Sequence, residues 1–145
     1  MLRWVICRLF WTASFFLRQY QKGVVFSTRV IVVGKSFTLK ENRDFLRLYR
    51  RGKCLVAPSI VTYVLKNKCG KTRYGITTSK KIGKAVQRNR ARRVIRAAWF
   101  DLYSSIVPGY DVVFVARGKT PYVKSDVLKR EIESHLKKAG IFSIK

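Results

Sequence analysis

The residues of this chain best suited to chemistry are cations, and they crowd into one segment. Residues 79–96 read SKKIGKAVQRNRARRVIR, where Lys80, Lys81, Lys84, Arg88, Arg90, Arg92, Arg93 and Arg96 make eight of 18 positions basic. Arg88, Arg92 and Arg96 follow at i,i+4, so a helix here stacks like charges with no acid on a neighbouring turn. Solvated faces usually mix signs; this one calls for an external anion. Arginine dominates, and its planar fork suits phosphate oxygens. The chemistry indicated is binding to a nucleic-acid backbone.

Catalysis by the chain itself finds no support. A hydrolase needs a base beside a nucleophile, or clustered carboxylates to hold a metal. His135 is the only histidine, followed by Lys137 and Lys138, and is expected to be a solvated surface residue. Glu131 and Glu133 stand at i,i+2 and so face different sides of a helix. No glycine-rich loop matches a nucleotide-binding fingerprint. Cys7, Cys54 and Cys69 form no C-x-x-C pair, which excludes a zinc ribbon or a dithiol redox motif. An odd cysteine count cannot complete a disulfide framework, so reduced thiols and a cytoplasmic location are expected. No catalytic residue and no protein-bound metal are expected.

The whole-chain balance agrees. Thirty-two Lys and Arg against seven acids give 145 residues a net charge of +25. Such self-repulsion calls for a polyanionic partner. The 56 residues between Asp44 and Asp101 carry 16 cations and no carboxylate. Hydrophobic residues make up 48%, enough to build one core.

Residues 1–34 differ from the rest. They are aromatic and apolar, with five cations and no acid. The longest uncharged stretch runs only from Leu9 to Leu17, short of the roughly 20 residues a membrane span needs. No small-residue cleavage site follows it. A basic interfacial helix is conceivable. The plainer readings are a disordered extension, or upstream sequence taken in by an early start codon. No membrane partner is expected, and the compact domain is expected over 35–145.

The elements that must position the cations can be read from there. Thr38 and Glu41 make a capping-box pattern, which predicts a helix over about 39–51 ending at Gly52. Residues 60–65 read as a strand rich in β-branched side chains. A polar turn at 67–71 and a second strand over 73–79 predict a hairpin. Ala91, Val94, Ile95, Ala98 and Leu102 share one arc of a helix over about 85–106, with Asn89, Arg90, Arg92, Arg93 and Arg96 mainly on the other side. Residues 111–116 form a nearly continuous apolar run, as in a covered strand. A last helix is predicted over 125–139, capped by Ser125 and stopped by Gly140.

Phe45 and Tyr49 are i,i+4 neighbours on the first helix, and Tyr63 lies in the following strand. With Phe37 and Tyr74 they fall in the basic part of the domain. They suit a core, and they equally suit stacking platforms beside backbone cations for single-stranded nucleic acid.

The run from Arg73 to Arg96 resembles the signature of the bacterial ribonuclease P protein component. Ser79-Lys80-Lys81-x-Gly83 followed by Arg88-Asn89-Arg90, two further basic residues and Ile95-Arg96 carries the likeness. Leu39–Phe45 with Tyr49–Gly52, and Val112–Arg117, resemble other parts of that family. The resemblance covers about 36–142. One position departs from it: Lys84 stands where the family commonly has Asn.

The resemblance implies an α+β fold, a single four-stranded sheet with packed helices in α-β-β-β-α-β-α order and a left-handed βαβ crossover. Residues 53–65, on either side of Pro58, would then supply the extra strand. It also implies a function: the protein subunit of a ribonucleoprotein endonuclease that removes the 5′ leader of precursor tRNA. The RNA subunit would be the catalyst and would use magnesium. Lys80, Lys81, Lys84, Arg88, Asn89, Arg90, Arg92, Arg93 and Arg96 would face that RNA. Phe45, Tyr49, Tyr63 and Arg73 would line a cleft for the single-stranded leader. A ribosomal or ribosomal-RNA-associated protein is the alternative; it explains the charge but not the register of the two motifs.

Overall fold

The structure, a computed structural model, describes residues 37–143; the expected N-terminal extension, 1–34, lies outside the described residues. The elements run β1 (Phe37–Thr38), α1 (Asn42–Arg51), β2 (Lys53–Val56), β3 (Ile60–Lys66), β4 (Arg73–Thr77), α2 (Ala85–Tyr103), β5 (Tyr110–Ala116) and α3 (Ser125–Ala139). Four main strands and three helices make the expected α+β architecture. The two-residue β1 extends the sheet at one edge, giving the order β1-β4-β5-β3-β2.

The expected hairpin between residues 60–65 and 73–79 does not form. β3 pairs antiparallel with β5 on one side and with β2 on the other. β4 pairs parallel with β5, and α2 is the crossover between them. The turn after β3 therefore carries the chain past the place that β5 fills later. β5 is the most apolar strand, and the sheet centre is where both its faces are covered. The true hairpin is β2–β3, turning through Pro58 and Ser59.

Period-two alternation assigns the two faces. Ile60, Val64, Tyr74, Val112 and Phe114 face α2 and α3, joining Ile95, Trp99, Leu128, Ile132 and Leu136 in the main core. Tyr63, Leu65, Val113 and Val115 face the other way and pack with Leu39, Phe45 and Leu48 under α1. With only ten residues, α1 is too short to roof that whole face.

Three local details depart from expectation. The first helix starts at Asn42 with Glu41 as its N-cap, because Thr38 is already used in β1. α2 ends at Tyr103. The cap of α3 is Lys124, with Ser125 the first helical residue. Gly140 stops α3 as expected, in the left-handed region at φ 76°, where its N–H reaches the Leu136 and Lys137 carbonyls.

His135 is a larger departure. It is buried, at 4% exposure, not solvated. Its Nδ1 lies 2.9 Å from Thr62 Oγ1 in the middle of the sheet. Burial lowers its pKa below the ordinary histidine value; Glu131 opposes that shift and Lys138 adds to it. In the unfolded chain the ring takes up a proton first, so acid favours unfolding. The stabilising contribution of the neutral ring is complete above the unfolded pKa near 6.5. It is lost as pH falls below that value towards the folded one. Urea midpoints are expected to drop between pH 7.5 and 5.5, and His135→Asn should shrink that drop. An identical drop in the variant would assign it to other groups.

Candidate nucleic-acid interface

α2 separates its faces as its sequence dictates. Ala91, Ile95, Ala98, Trp99 and Leu102 are buried. Asn89, Arg90, Arg92, Arg93 and Arg96 are exposed, as are Lys80, Lys81 and Lys84 in the loop that feeds the helix. Within this set Arg88 is the exception. It is half-buried and donates to the Gly83 carbonyl at 2.8 Å, bracing the entry to the helix. Lys84 is the N-cap residue and makes no side-chain cap bond. The Gln87 side chain supplies the cap, its Oε1 accepting the Lys84 N–H at 2.9 Å. This leaves the Lys84 ammonium exposed, on a surface already short of acids.

The aromatic residues meet on the α1 face of the sheet. Asn42, Phe45 and Tyr49 lie at i, i+3 and i+7 on α1, and line an open cleft of about 440 Å3 with Ile76, Thr77 and Arg92. Gly75 makes the seat for Phe45: a Cβ there would stand 2.6 Å from Phe45 Cε1. The Tyr49 hydroxyl pairs with Thr77 Oγ1 at 2.8 Å. Its ring meets Tyr63 edge-on, with centroids 5.0 Å apart and planes at 77°. Cys54, the cross-strand partner of Tyr63, hydrogen-bonds the phenol and raises its pKa. Phe45 and Tyr63 are half-buried, and Tyr49 is 36% exposed. The trio is thus part core and part open surface: Phe45 and Tyr49 line the cleft, while Tyr63, also expected there, is absent from the lining and packs against Tyr49.

Arg92 joins the two regions. It belongs to the cation face of α2, lines the aromatic cleft, and donates from Nε to Thr78 Oγ1 at 3.1 Å. The sequence placed Arg92 only on the helix; its 14-residue separation from Thr78 gave no sign of this contact.

Arg73, expected in the cleft, is absent from its lining and otherwise engaged. Its Nε and Nη2 donate to the two oxygens of Asp111 at 2.8 and 2.7 Å, and its Nη1 to Asp44 at 3.1 Å. The Asp111 hydrogen bonds push the guanidinium pKa further up, so it stays charged. Arg47 Nη2 and Asn67 Nδ2 also reach Asp111, at 3.0 and 2.7 Å. This network ties α1 to the starts of β4 and β5. Arg73 holds up the wall of the cleft and has few donors left for a ligand.

Among the described residues no three His, Cys, Asp or Glu side chains come together as metal ligands. Nor is any described helix long and apolar enough to cross a membrane. Cys54 and Cys69 are free and exposed.

Comparison with known proteins gives consistent matches. The family model described as Ribonuclease P matches residues 33–140. The ribonuclease P protein component of Clostridioides difficile (strain 630) is 39% identical over 104 residues, covering 71% of this chain and 91% of the relative. That of Caldanaerobacter subterraneus is 42% identical over 107 residues, covering 74% and 92%. The solved RNase P protein of Staphylococcus aureus superposes with a TM-score of 0.66 at 33% identity, over 75% of this chain and all of that one. The Thermotoga maritima RNase P protein gives 0.63 at 30% identity, over 70% and 96%.

Proposed function

The chain belongs to the ribonuclease P protein component family, and from that premise we propose how it serves the ribonucleoprotein. It is the protein subunit of the tRNA-processing ribonuclease. It binds the RNA subunit through the cations of α2 and its entry loop, and it holds the single-stranded 5′ leader of precursor tRNA in the aromatic cleft. The RNA subunit does the bond breaking with its own magnesium ions. The protein contributes position and charge.

The observation that carries this reading is the double membership of Arg92. One side chain belongs to both the phosphate-binding face and the aromatic cleft. A leader strand stacked on Phe45 and Tyr49 therefore runs alongside the surface that grips the RNA subunit. Its phosphates meet Arg92, and its bases meet rings supported from beneath by Gly75 and Tyr63. Held at both places, the leader loses freedom before the reaction, and the scissile bond is delivered in a restricted geometry. The cations also offset repulsion between two RNA backbones.

The test is reconstitution with purified RNA subunit over a salt series. Each neutralised phosphate contributes about 0.7–0.9 to the log–log slope of affinity against salt. Arg90→Ala and Arg93→Ala are each expected to flatten that slope by roughly one unit and to raise the magnesium needed for precursor cleavage. Unchanged slopes in both variants would mean that this face is merely solvated.

A further inference from the structure

A second open cleft lies between α2 and the start of α3 and shares no lining residue with the aromatic one. It encloses about 600 Å3, and its polar lining is Arg90, Arg93, Lys124, Ser125 and Asp126. Three cations thus face one carboxylate, and all of them are exposed. Val123 supplies an apolar wall, and the residue before it is Tyr122.

Tyr122 is 71% exposed, yet it is held in place. Its hydroxyl accepts a hydrogen bond from Gln87 Nε2 at 2.7 Å. Gln87 is itself fixed by capping α2, and it sits one turn before Arg90. The backbone is anchored too, because Tyr122 ends a single helical turn, Thr120–Tyr122, whose Thr120 and Pro121 are buried. The ring is therefore aimed by the same helix that carries the cations. A fixed ring loses little conformational freedom when something stacks on it. Val86, the residue before Gln87 on α2, is 78% exposed. An anchored, solvent-facing aromatic, next in the chain to a cleft-lining residue and tethered to the helix that carries Arg90 and Arg93, matches the requirements of an unstacked base with its flanking phosphates.

We infer that an unpaired nucleotide of the RNA subunit binds here, its phosphates in the cleft on Arg90, Arg93 and Lys124 and its base outside the lining, against Tyr122. The inference rests on the reading that α2 faces the RNA subunit. It extends that interface from a helix face recognising phosphates to a site that also takes a splayed-out base. It also gives Tyr122, Lys124 and Gln87 parts in assembly, Gln87 as the residue that positions the ring.

The experiment measures binding of the full chain to the RNA subunit alone, without precursor tRNA, over a salt series. Tyr122→Ala should weaken binding roughly five- to tenfold, at the low end of a stacking loss, and leave the salt slope unchanged. Tyr122→Phe keeps the ring face but gives up the Gln87 tether, and its loss should be smaller than that of Tyr122→Ala. Lys124→Ala should flatten the slope by about 0.7–0.9. Parental binding by Tyr122→Ala would overturn the inference. So would a Tyr122→Phe loss as large as that of Tyr122→Ala, or a loss visible only once precursor is added. If Arg90→Ala and Arg93→Ala flatten the slope while Tyr122→Ala and Lys124→Ala change nothing, the helix face binds RNA and this cleft does not. If none of the four matters, the underlying assignment of α2 falls as well.

Discussion

Asp111→Ala is expected to cost about 3–5 kcal/mol of folding stability, the usual loss when one partner of a buried ion pair is removed. Its side chain is fully buried and accepts four hydrogen bonds, two from Arg73 and one each from Arg47 and Asn67. Removing the carboxylate leaves the Arg73 guanidinium, only 22% exposed, with Asp44 as its one remaining acid. Arg47 is 45% exposed, and water can solvate it. Arg47→Ala should therefore cost well under half as much, since exposed pairs contribute about 0–1 kcal/mol. Denaturant unfolding of the three variants Asp111→Ala, Arg73→Ala and Arg47→Ala should rank them in that order. A loss under about 1 kcal/mol for Asp111→Ala would show that the network is not needed to hold α1 on the sheet.

That network also marks a limit of what sequence can convey. Arg73 lies in an acid-free stretch and read as one more ligand for RNA. The acid that holds it is 38 residues further on, at the start of a strand whose partner was not known. β3 and β4 misled for the same reason. A polar turn with Gly70 joins two β-branched runs, which is the local mark of a hairpin. Nothing local says that β5 will insert between them. β2 gave almost no signal, because an edge strand of four mostly exposed residues has no apolar alternation.

Other features were legible because their cause is local. The split of α2 into a packed stripe and a cationic face follows directly from helical periodicity, and so does the stop at Gly140. His135 was legible and was misjudged. Leu128, Ile132, His135 and Leu136 stand at i, i+4, i+7 and i+8, which puts the histidine on the buried stripe of α3. The neighbouring lysines suggested solvent, but they belong to the next positions around the helix. Tyr122 could not have been assigned from its neighbours. Its tether, Gln87, lies 35 residues earlier, and only the packing of the Thr120–Tyr122 turn against α2 brings the two together.

Phe45→Ala is expected to have two separable effects. The ring is half-buried over Gly75, so its removal should cost roughly 2 kcal/mol of stability, about half the loss for a fully buried phenylalanine. Its open side lines the cleft, so leader binding should fall by about 1–3 kcal/mol, or roughly five- to 150-fold. Comparing precursor with mature tRNA on the reconstituted holoenzyme separates these effects. The mature molecule has no leader, so stacking predicts that only precursor affinity falls. Gly75→Ala gives a second route to the same site. It keeps the ring, but its new Cβ would stand 2.6 Å from Phe45 Cε1, and the ring must swing aside. A side-chain end can move, so the stability cost should be no more than the roughly 1–3 kcal/mol of an overpacked core. The displaced ring should still lose precursor affinity and spare mature tRNA. Equal losses for both RNAs in both variants would return Phe45 to a purely structural role. Precursor-specific loss in Gly75→Ala, where the phenylalanine remains but its face has moved, would tie leader binding to the position of the ring itself.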